Sequence, residues 1–289
     1  MSAVDIRLLQ AARAQGRALV GFSIYNLEQG MGVLRAAEQL KVPVLLQAGS
    51  SAFRYAGRRP LAALALALAR ESSVPAGVHL DHSTDVDEVR ACLELGYGSV
   101  MFDGSALAFE DNIRLTRSVV QLARRHGAWV EAELAGIGGD EDVSTHASAG
   151  ALTDPAHAHE FVRRTGVDAL AVAIGNVHGV PSAPARLDLQ LLAAIADVVE
   201  VPLVLHGASG LTVAEVQGAI RLGVAKLNIN TELRRALADA VQALGEQPPS
   251  SDAVAAWMGP VAEATREVAY DKLETFTAGA VFDKEEAAR

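Results

Sequence analysis

The sequence predicts an α/β fold of the (β/α)8 TIM-barrel class with a C-terminal helical extension. Three observations predict it: eight short apolar runs, helix-like stretches between them, and polar side chains at one end of the runs. Parallel strands covered by helices are near-continuous apolar segments, and eight of them close a barrel. The alternative is a doubly wound open sheet, but the Gly-x-Gly-x-x-Gly turn expected after its first strand is absent from the sequence.

The strands and helices alternate along the chain. The strands are expected at residues 18–24, 42–48, 76–80, 99–102, 128–133, 168–174, 201–205 and 224–229. The helices between them are expected at residues 26–40, 59–71, 84–95, 109–126, 155–165, 187–198 and 212–222. Local residues mark two helix starts: Asp154 precedes a first-turn proline, and Thr212 with Glu215 fits a capping box.

No low-complexity linker divides the chain, so we expect one domain over residues 1–289. The barrel is expected to end at about residue 244. Pro248 and Pro249 then precede a helical extension, expected over about residues 250–289. The charged residues within the first 19 positions favour an amphipathic helix over a signal peptide.

Composition excludes several classes of partner. The net charge is −10, from 25 basic and 35 acidic residues, which leaves no basic footprint for nucleic acid. Apolar stretches are interrupted before the ~18 residues that a membrane helix needs. The single cysteine, Cys92, cannot form an internal disulfide, so nothing implies export. We therefore expect a cytoplasmic protein without a nucleic-acid or membrane partner.

Three histidines, His82, His178 and His206, each follow a predicted strand. If the strands are parallel, the three imidazoles emerge at one rim of the sheet. Three neutral imidazoles with a fourth position open form the ligand set of a catalytic zinc. A single histidine at an element boundary is more often structural, but three at the same end of three strands favour a metal site.

Carboxylates accompany these histidines. Asp81 directly precedes His82, which places it within reach of a metal-bound substrate, although it could instead cap the following helix. Asp103 and Glu133 stand at the ends of two other strands, as outer-shell groups or ligands of an alternative metal position. Glu131 points to the same side as Glu133, deeper in the barrel, where a buried carboxylate needs a partner.

Two segments after the last two strands have the character of anion sites. Residues 206–210 are glycine-rich and precede a helix, so backbone N–H groups and the Ser209 hydroxyl could bind a phosphate. Residues 228–231 follow the eighth strand, a usual phosphate site of barrels. A third segment, from residue 136 to 150, is glycine-hinged and acidic. It is either a lid that carries Glu141 as acid or base, or a solvated loop.

These motifs resemble the class II, metal-dependent ketose-bisphosphate aldolases, in both their fructose-bisphosphate and tagatose-bisphosphate branches. The matching segments are residues 25–29, 80–82, 100–105, 131–134, 138–142, 170–175, 178–179, 205–210 and 226–233. The resemblance implies Zn²⁺ held by His82, His178 and His206. It also implies that Asp81 exchanges a proton with the C4 hydroxyl, and that Glu141 removes the C3 proton of dihydroxyacetone phosphate.

The resemblance extends to the outer parts of the site. It implies a second metal position or outer shell at Asp103 and Glu133, a monovalent cation (Na⁺ or K⁺) nearby, and a homodimer or homotetramer. The substrate and phosphate contacts are expected at Asn26, Ser50, Gly179, Gly207, Ser209, Asn228, Asn230 and Thr231. Ser51 is an alternative to Ser50 in the loop after the second strand.

The expected reaction is cleavage of a ketose 1,6-bisphosphate into dihydroxyacetone phosphate and an aldehyde such as glyceraldehyde 3-phosphate. Alternatives are another phosphorylated keto-sugar, or a non-catalytic sugar-phosphate-binding relative. A zinc hydrolase is disfavoured because the first strand has no His-x-His pair. Two departures from the family leave the aldehyde partner open: residues 180–184 after Gly179, and Tyr270 where an arginine is frequent.

Overall fold

The computed structural model describes residues 4–137, 150–179, 186–208 and 210–277. Within these ranges, eight parallel strands form a closed barrel in chain order, with β1 beside β8. The predicted (β/α)8 fold is therefore confirmed. The strands are β1 Leu19–Ser23, β2 Val44–Gly49, β3 Ala76–Ser83, β4 Ser99–Asp103, β5 Trp129–Glu133, β6 Ala169–Ala171, β7 Leu203–Leu205 and β8 Val224–Ile229.

Helices cover the outside of the barrel. They are α1 Ile6–Ala14, α2 Leu27–Leu40, α3 Ser50–Ala56, α4 Arg58–Glu71, α5 Val86–Leu95, α6 Phe109–His126, α7 Pro155–Thr165, α8 Leu189–Val198, α9 Val213–Arg221, α10 Thr231–Glu246 and α11 Val254–Phe276. The main hydrophobic core lies between strands and helices. Both helix starts predicted from sequence are confirmed, since Asp154 caps α7 ahead of Pro155 and Thr212 forms a capping box with Glu215.

The two ends of the barrel interior differ in polarity. A second core cluster fills the end from which the strands start, where Leu9 of α1 packs with Leu45 and Trp129 from the barrel. α1 is thus the amphipathic helix expected near the N-terminus, and it closes that end. Farther along the strands, the buried side chains of His79 and Glu131 are polar. The buried His79 and Glu131 therefore lie in the half that leads to the C-terminal ends of the strands.

Several element boundaries differ from the sequence prediction, and three of the differences concern β6, β3 and the segment after β2. β6 is shorter than expected, because Ala173 donates its N–H to Thr153 Oγ1 and Ile174 donates to Asn176 Oδ1, so side-chain acceptors replace the strand ladder. β3 continues past Leu80 through a bulge. The segment after β2, expected as a loop, forms the short helix α3.

The C-terminal helix α11 packs along α2 through a glycine. At Gly32 of α2, a Cβ atom would lie 2.6 Å from the carbonyl oxygen of Ala262 and 2.8 Å from Cβ of Thr265. The absence of a side chain therefore allows the close approach of these helices. Among the described helices, none is both long and apolar enough to cross a membrane.

Replacing Gly32 with alanine should lower the free energy of unfolding by about 1–3 kcal/mol, because the added methyl group meets backbone that cannot move aside easily. The matched control is Gly259→Ala in α11, where the new Cβ meets nothing within 4 Å. Its higher helix propensity should leave stability unchanged or raise it by about 1 kcal/mol. Urea unfolding of both variants measures the difference, and equal midpoints would contradict the packing argument.

Candidate active site

A cavity of about 260 Å³ lies at the C-terminal ends of the strands. This is the end of a (β/α)8 barrel at which active sites form. Its described lining residues are Ser23, Tyr25, Ala48, Gly49, Ser50, Ser51, Ala52, Arg54, Asp81, His82, Asp103, Ser105, Glu133, Ile137, His178 and Asn230.

The three predicted metal ligands meet beside this cavity. His82, His178 and His206 each offer a ring nitrogen, and these nitrogens lie within 4.8 Å of one another. His82 Nε2 is 2.7 Å from His206 Nδ1. Burial lowers the pKa of His178 well below its ordinary value and also lowers that of His206. Neutral imidazoles at this spacing are the form and number of donors that a tetrahedral zinc site with one open position requires.

An unusual backbone conformation brings His82 to the cavity. Neighbouring residues of a regular strand face opposite sides of the sheet, yet Asp81 and His82 both line the cavity. The register of β3 against β4 shifts between Leu80 and Ser83, and His82 has a positive φ of 42°. A non-glycine residue in the left-handed region costs on the order of 1 kcal/mol, so the surrounding packing must hold it there.

Glu131 orients the metal-facing nitrogen of His206. Its Oε1 lies 2.6 Å from His206 Nε2, and both side chains are fully buried. A carboxylate at Nε2 favours the tautomer with the proton there, so Nδ1 presents its lone pair towards His82 and His178. Asn176 adds a hydrogen bond from Nδ2 to the carbonyl oxygen of His206 at 3.0 Å. The ring and its backbone are therefore both fixed.

Lys226 is the partner that the buried Glu131 needs. Its Nζ lies 2.8 Å from Glu131 Oε2 and donates to Asn228 Oδ1 at 2.6 Å. Burial opposes ionisation of Glu131, but Lys226 and His206 outweigh it and lower the pKa of this carboxyl. Asn228 Nδ2 in turn donates to Asp81 Oδ1 at 3.1 Å. The buried Lys226 thus binds both Glu131, which contacts His206, and Asn228, which contacts Asp81.

Asp103 and Glu133 form a second cluster with the other nitrogen of His82. His82 Nδ1 is 3.3 Å from Asp103 Oδ2 and 3.9 Å from Glu133 Oε2. Hydrogen bonds from His82 and Ser105 outweigh burial and lower the pKa of Asp103. Burial raises the pKa of Glu133 to about 8. This geometry suits both predicted uses, a second metal position and an outer shell around His82.

Most of the predicted substrate and phosphate residues that the structure describes lie on the β6–β8 side. Gly207 has φ of 62°, and a Cβ there would be 2.1 Å from the Val177 carbonyl oxygen, so only glycine fits. Gly179 also has a positive φ and is buried. Asn230 lines the cavity, and Thr231 is the buried first residue of α10.

The remaining predicted residues have different positions. Ser50 lines the cavity and donates its hydroxyl to Glu88 Oε2 at 2.6 Å, while Ser51 also lines the cavity. Asn26 caps α2 by accepting the N–H of Gln29, and it is not among the described lining residues. A contact between Asn26 and the substrate therefore remains a prediction. Glu141 and Ser209 lie outside the described residues.

Ser105, Asn176 and Arg54 are among the site residues that were not anticipated from sequence. Ser105 donates both its N–H and its hydroxyl to Asp103 Oδ1, and the Asp-Gly-Ser segment after β4 is a recognisable pattern for such a turn. No local sequence pattern indicates that Asn176 hydrogen-bonds to the backbone of His206. Arg54 reaches the cavity because α3 follows β2 directly, and that helix was not predicted.

Comparison with known proteins identifies the family to which the chain belongs. A family model described as "Fructose-bisphosphate aldolase class-II" matches residues 6–280. The chain belongs to this family, and an aldolase, a lyase, is the activity that this membership supports.

Individual relatives agree with the family. The chain is 40% identical over 262 residues to "D-tagatose-1,6-bisphosphate aldolase subunit GatY" of Klebsiella oxytoca, covering 90% of this chain and 92% of the relative. The crystal structure of the YdjI aldolase from Escherichia coli K12 is similar, with a TM-score of 0.82, 35% identity and coverage of 95% and 97%. A putative fructose-1,6-biphosphate aldolase from Coccidioides immitis gives a TM-score of 0.83, 33% identity and coverage of 94% and 96%.

Replacing Glu131 with glutamine should weaken zinc binding by about 10- to 100-fold, because His206 loses the carboxylate that fixes its tautomer. Competition between the metal-stripped protein and a chromogenic chelator measures this affinity without relying on activity. The control is Glu88→Gln, since Glu88 accepts from Ser50 and Ser83 and contacts none of the three histidines in the described structure. Unchanged zinc affinity in a folded Glu131→Gln variant would contradict the role assigned to Glu131.

Proposed function

We propose that this aldolase catalyses the reversible, zinc-dependent cleavage of a ketose 1,6-bisphosphate of the fructose or tagatose type. The products are dihydroxyacetone phosphate and glyceraldehyde 3-phosphate. The observation that carries the proposal is that Asp81 lines the same cavity as His82 and His178, with His206 beside them. A proton-transferring carboxylate next to a three-histidine donor set suits the breaking of a C–C bond adjacent to a carbonyl.

In this proposal His82, His178 and His206 hold the metal. When bound, Zn²⁺ supplies Lewis-acid polarisation of the substrate's ketone oxygen. Burial favours the neutral form of His178 and His206, and His82 and His178 line the cavity, which leaves one side for substrate. Asp103 and Glu133 serve as the outer shell of His82 or as a second metal position, as their distances to Nδ1 support.

Asp81 transfers the proton of the C4 hydroxyl. During cleavage its carboxylate accepts this proton as the C3–C4 bond breaks, and during condensation it returns it. Asn228 donates to Oδ1 of Asp81, so the carboxylate plane is fixed before substrate arrives. Such positioning places the base within hydrogen-bond reach of a defined hydroxyl. Glu141, in the acidic segment after β5, is assigned the proton at C3 of dihydroxyacetone phosphate.

The phosphate of the ketone half is assigned to the loops after β6, β7 and β8. The turns at Gly179 and Gly207 and the start of α10 at Thr231 present backbone N–H groups there, which suits an anion. Ser209 and Asn230 complete the proposed contacts. The relatives' printed names favour a tagatose-type substrate in one case and a fructose-type substrate in another. A homodimer or homotetramer in the cytoplasm stays a prediction.

Removing zinc should abolish release of dihydroxyacetone phosphate, because the ion that polarises the ketone is lost while the barrel remains folded. The assay uses fructose 1,6-bisphosphate and tagatose 1,6-bisphosphate in parallel, with product coupled to NADH oxidation. Activity should disappear after chelation and return with added Zn²⁺. Turnover that persists in the chelated protein would rule out a metal-dependent aldolase, and binding without turnover of either epimer would favour the non-catalytic alternative.

Asp81→Asn should reduce kcat by about 10²- to 10⁴-fold, because the amide keeps the shape of the side chain but cannot accept the C4 proton. Zinc content should remain that of the wild type, which separates loss of proton transfer from loss of metal. Asp85→Asn is the matched control, since asparagine still caps α5. Wild-type turnover by Asp81→Asn would remove Asp81 from the proposed reaction.

A further inference from the structure

His79 is a buried titratable side chain that the proposed reaction does not use. It lies on β3 inside the barrel and is fully buried, three residues before the predicted metal ligand His82. Burial lowers the pKa of His79 to about 3, so the ring is neutral and carries one N–H. A buried polar ring costs free energy unless its nitrogens meet partners, and the positions of those partners indicate what the ring does.

Two neighbours fix the position of the His79 ring. Its Nδ1 lies 2.8 Å from the hydroxyl oxygen of Ser99 on β4. The ring of Trp129 on β5 stacks against it, with the ring centroids 5.2 Å apart and an angle of 26° between the planes. Trp129 also belongs to the apolar cluster at the end from which the strands start. His79 therefore lies at the boundary between that cluster and the polar half of the barrel.

The other ring nitrogen of His79 faces Glu131. His79 Nε2 lies 3.6 Å from Glu131 Oε2 and has no hydrogen-bond partner among the described residues. This distance is longer than a hydrogen bond, so the contact depends on the charge of the carboxylate and the dipole of the ring. The carboxylate attracts a proton on Nε2 and repels a lone pair there. The favoured tautomer therefore has its proton on Nε2, and Ser99 donates its hydroxyl to Nδ1.

The Glu131 carboxylate thus has nitrogen partners on both of its oxygens. Lys226 Nζ and His79 Nε2 face Oε2, at 2.8 and 3.6 Å. His206 Nε2 faces Oε1 at 2.6 Å. Turning the carboxylate away from His206 would also move Oε2 away from its two partners. An ammonium group and an N–H dipole on the same oxygen therefore oppose the rotation that would release His206.

We propose that His79 is a positioning residue for the metal centre. Its Nε2–H, fixed by Ser99, holds the Glu131 carboxylate in the orientation that turns His206 Nδ1 towards the metal. This inference rests on the proposed function, because it takes His206 as a ligand of Zn²⁺. An apolar side chain at position 79 could still pack against Trp129, but it would leave Oε2 of Glu131 to Lys226 alone.

The affinity of the metal-stripped protein for zinc, measured by competition with a chromogenic chelator, tests this role without relying on activity. His79→Leu should weaken zinc binding about 3- to 10-fold, which is less than the loss of a direct partner of a ligand, because Lys226 still holds Oε2. His79→Gln should recover part of the affinity, since its amide N–H can donate to Glu131.

The matched control is Leu45→Ala, which loosens the apolar cluster around Trp129 and adds no group that could bind Glu131. This variant should unfold at a lower urea concentration with its zinc affinity unchanged. Unchanged zinc affinity in a folded His79→Leu variant would overturn the inference. An equal loss of affinity in Leu45→Ala would overturn it as well, because the effect would then come from loosening of the barrel interior.

The tautomer of His79 supplies a readout that needs no metal. NMR spectra of protein carrying isotope-labelled histidine show which ring nitrogen is protonated, and comparison with His79→Gln assigns the signals of His79. We expect the proton on Nε2 in the metal-free wild type, whereas a proton on Nδ1 would overturn the inference. Zinc binding that depends on His79, in a protein that cleaves no ketose bisphosphate, would support the role of His79 and reject the proposed function.

Discussion

The buried ion pair between Glu131 and Lys226 is the interaction on which the candidate site depends. Both side chains are fully buried inside the barrel, and their charged atoms are 2.8 Å apart. A charge left unpaired at such depth costs several kcal/mol, so each residue requires the other. The other carboxylate oxygen of Glu131 hydrogen-bonds to His206 and holds its ring in place. Lys226 also donates to Asn228, which in turn donates to Asp81 and holds that carboxylate in place. The metal ligand and the proposed base therefore share one electrostatic support.

The barrel separates this polar network from the part that provides stability. Leu9 of α1 and Trp129 of β5 fill the end from which the strands start, and they contain no group that the chemistry needs. The polar half can then contain a strained residue such as His82, because apolar packing around and below it holds the strands in register. The apolar packing that stabilises the barrel and the polar groups of the site thus lie at opposite ends of the same strands. At the site end, the N–H groups after β6 donate to side-chain acceptors instead of a neighbouring strand.

Local patterns predicted most of the architecture and the metal ligands. Apolar runs and helix boundaries are properties of short segments, so the eight strands and the starts of α7 and α9 could be located. His82, His178 and His206 could be grouped because parallel strands place their ends on one rim. The partner of Glu131 could not be assigned, since Lys226 meets it only after β5 and β8 are brought together by closure of the barrel. α3 could not be predicted because Gly49, Ser50 and Ser51 at its start are typical of a loop.

The amino-acid sequence is sufficient to predict a (β/α)8 barrel of the class II aldolase family with three histidines and Asp81 at its rim. Strand periodicity and motif order are encoded locally, and they suffice for that conclusion. The folded structure is needed to show which atoms meet: His82 Nε2 lies beside His206 Nδ1 across 124 residues of chain, and Arg54 lines the same cavity as His82. Those contacts depend on strand register, on the left-handed turn at His82 and on barrel closure, which no short segment specifies.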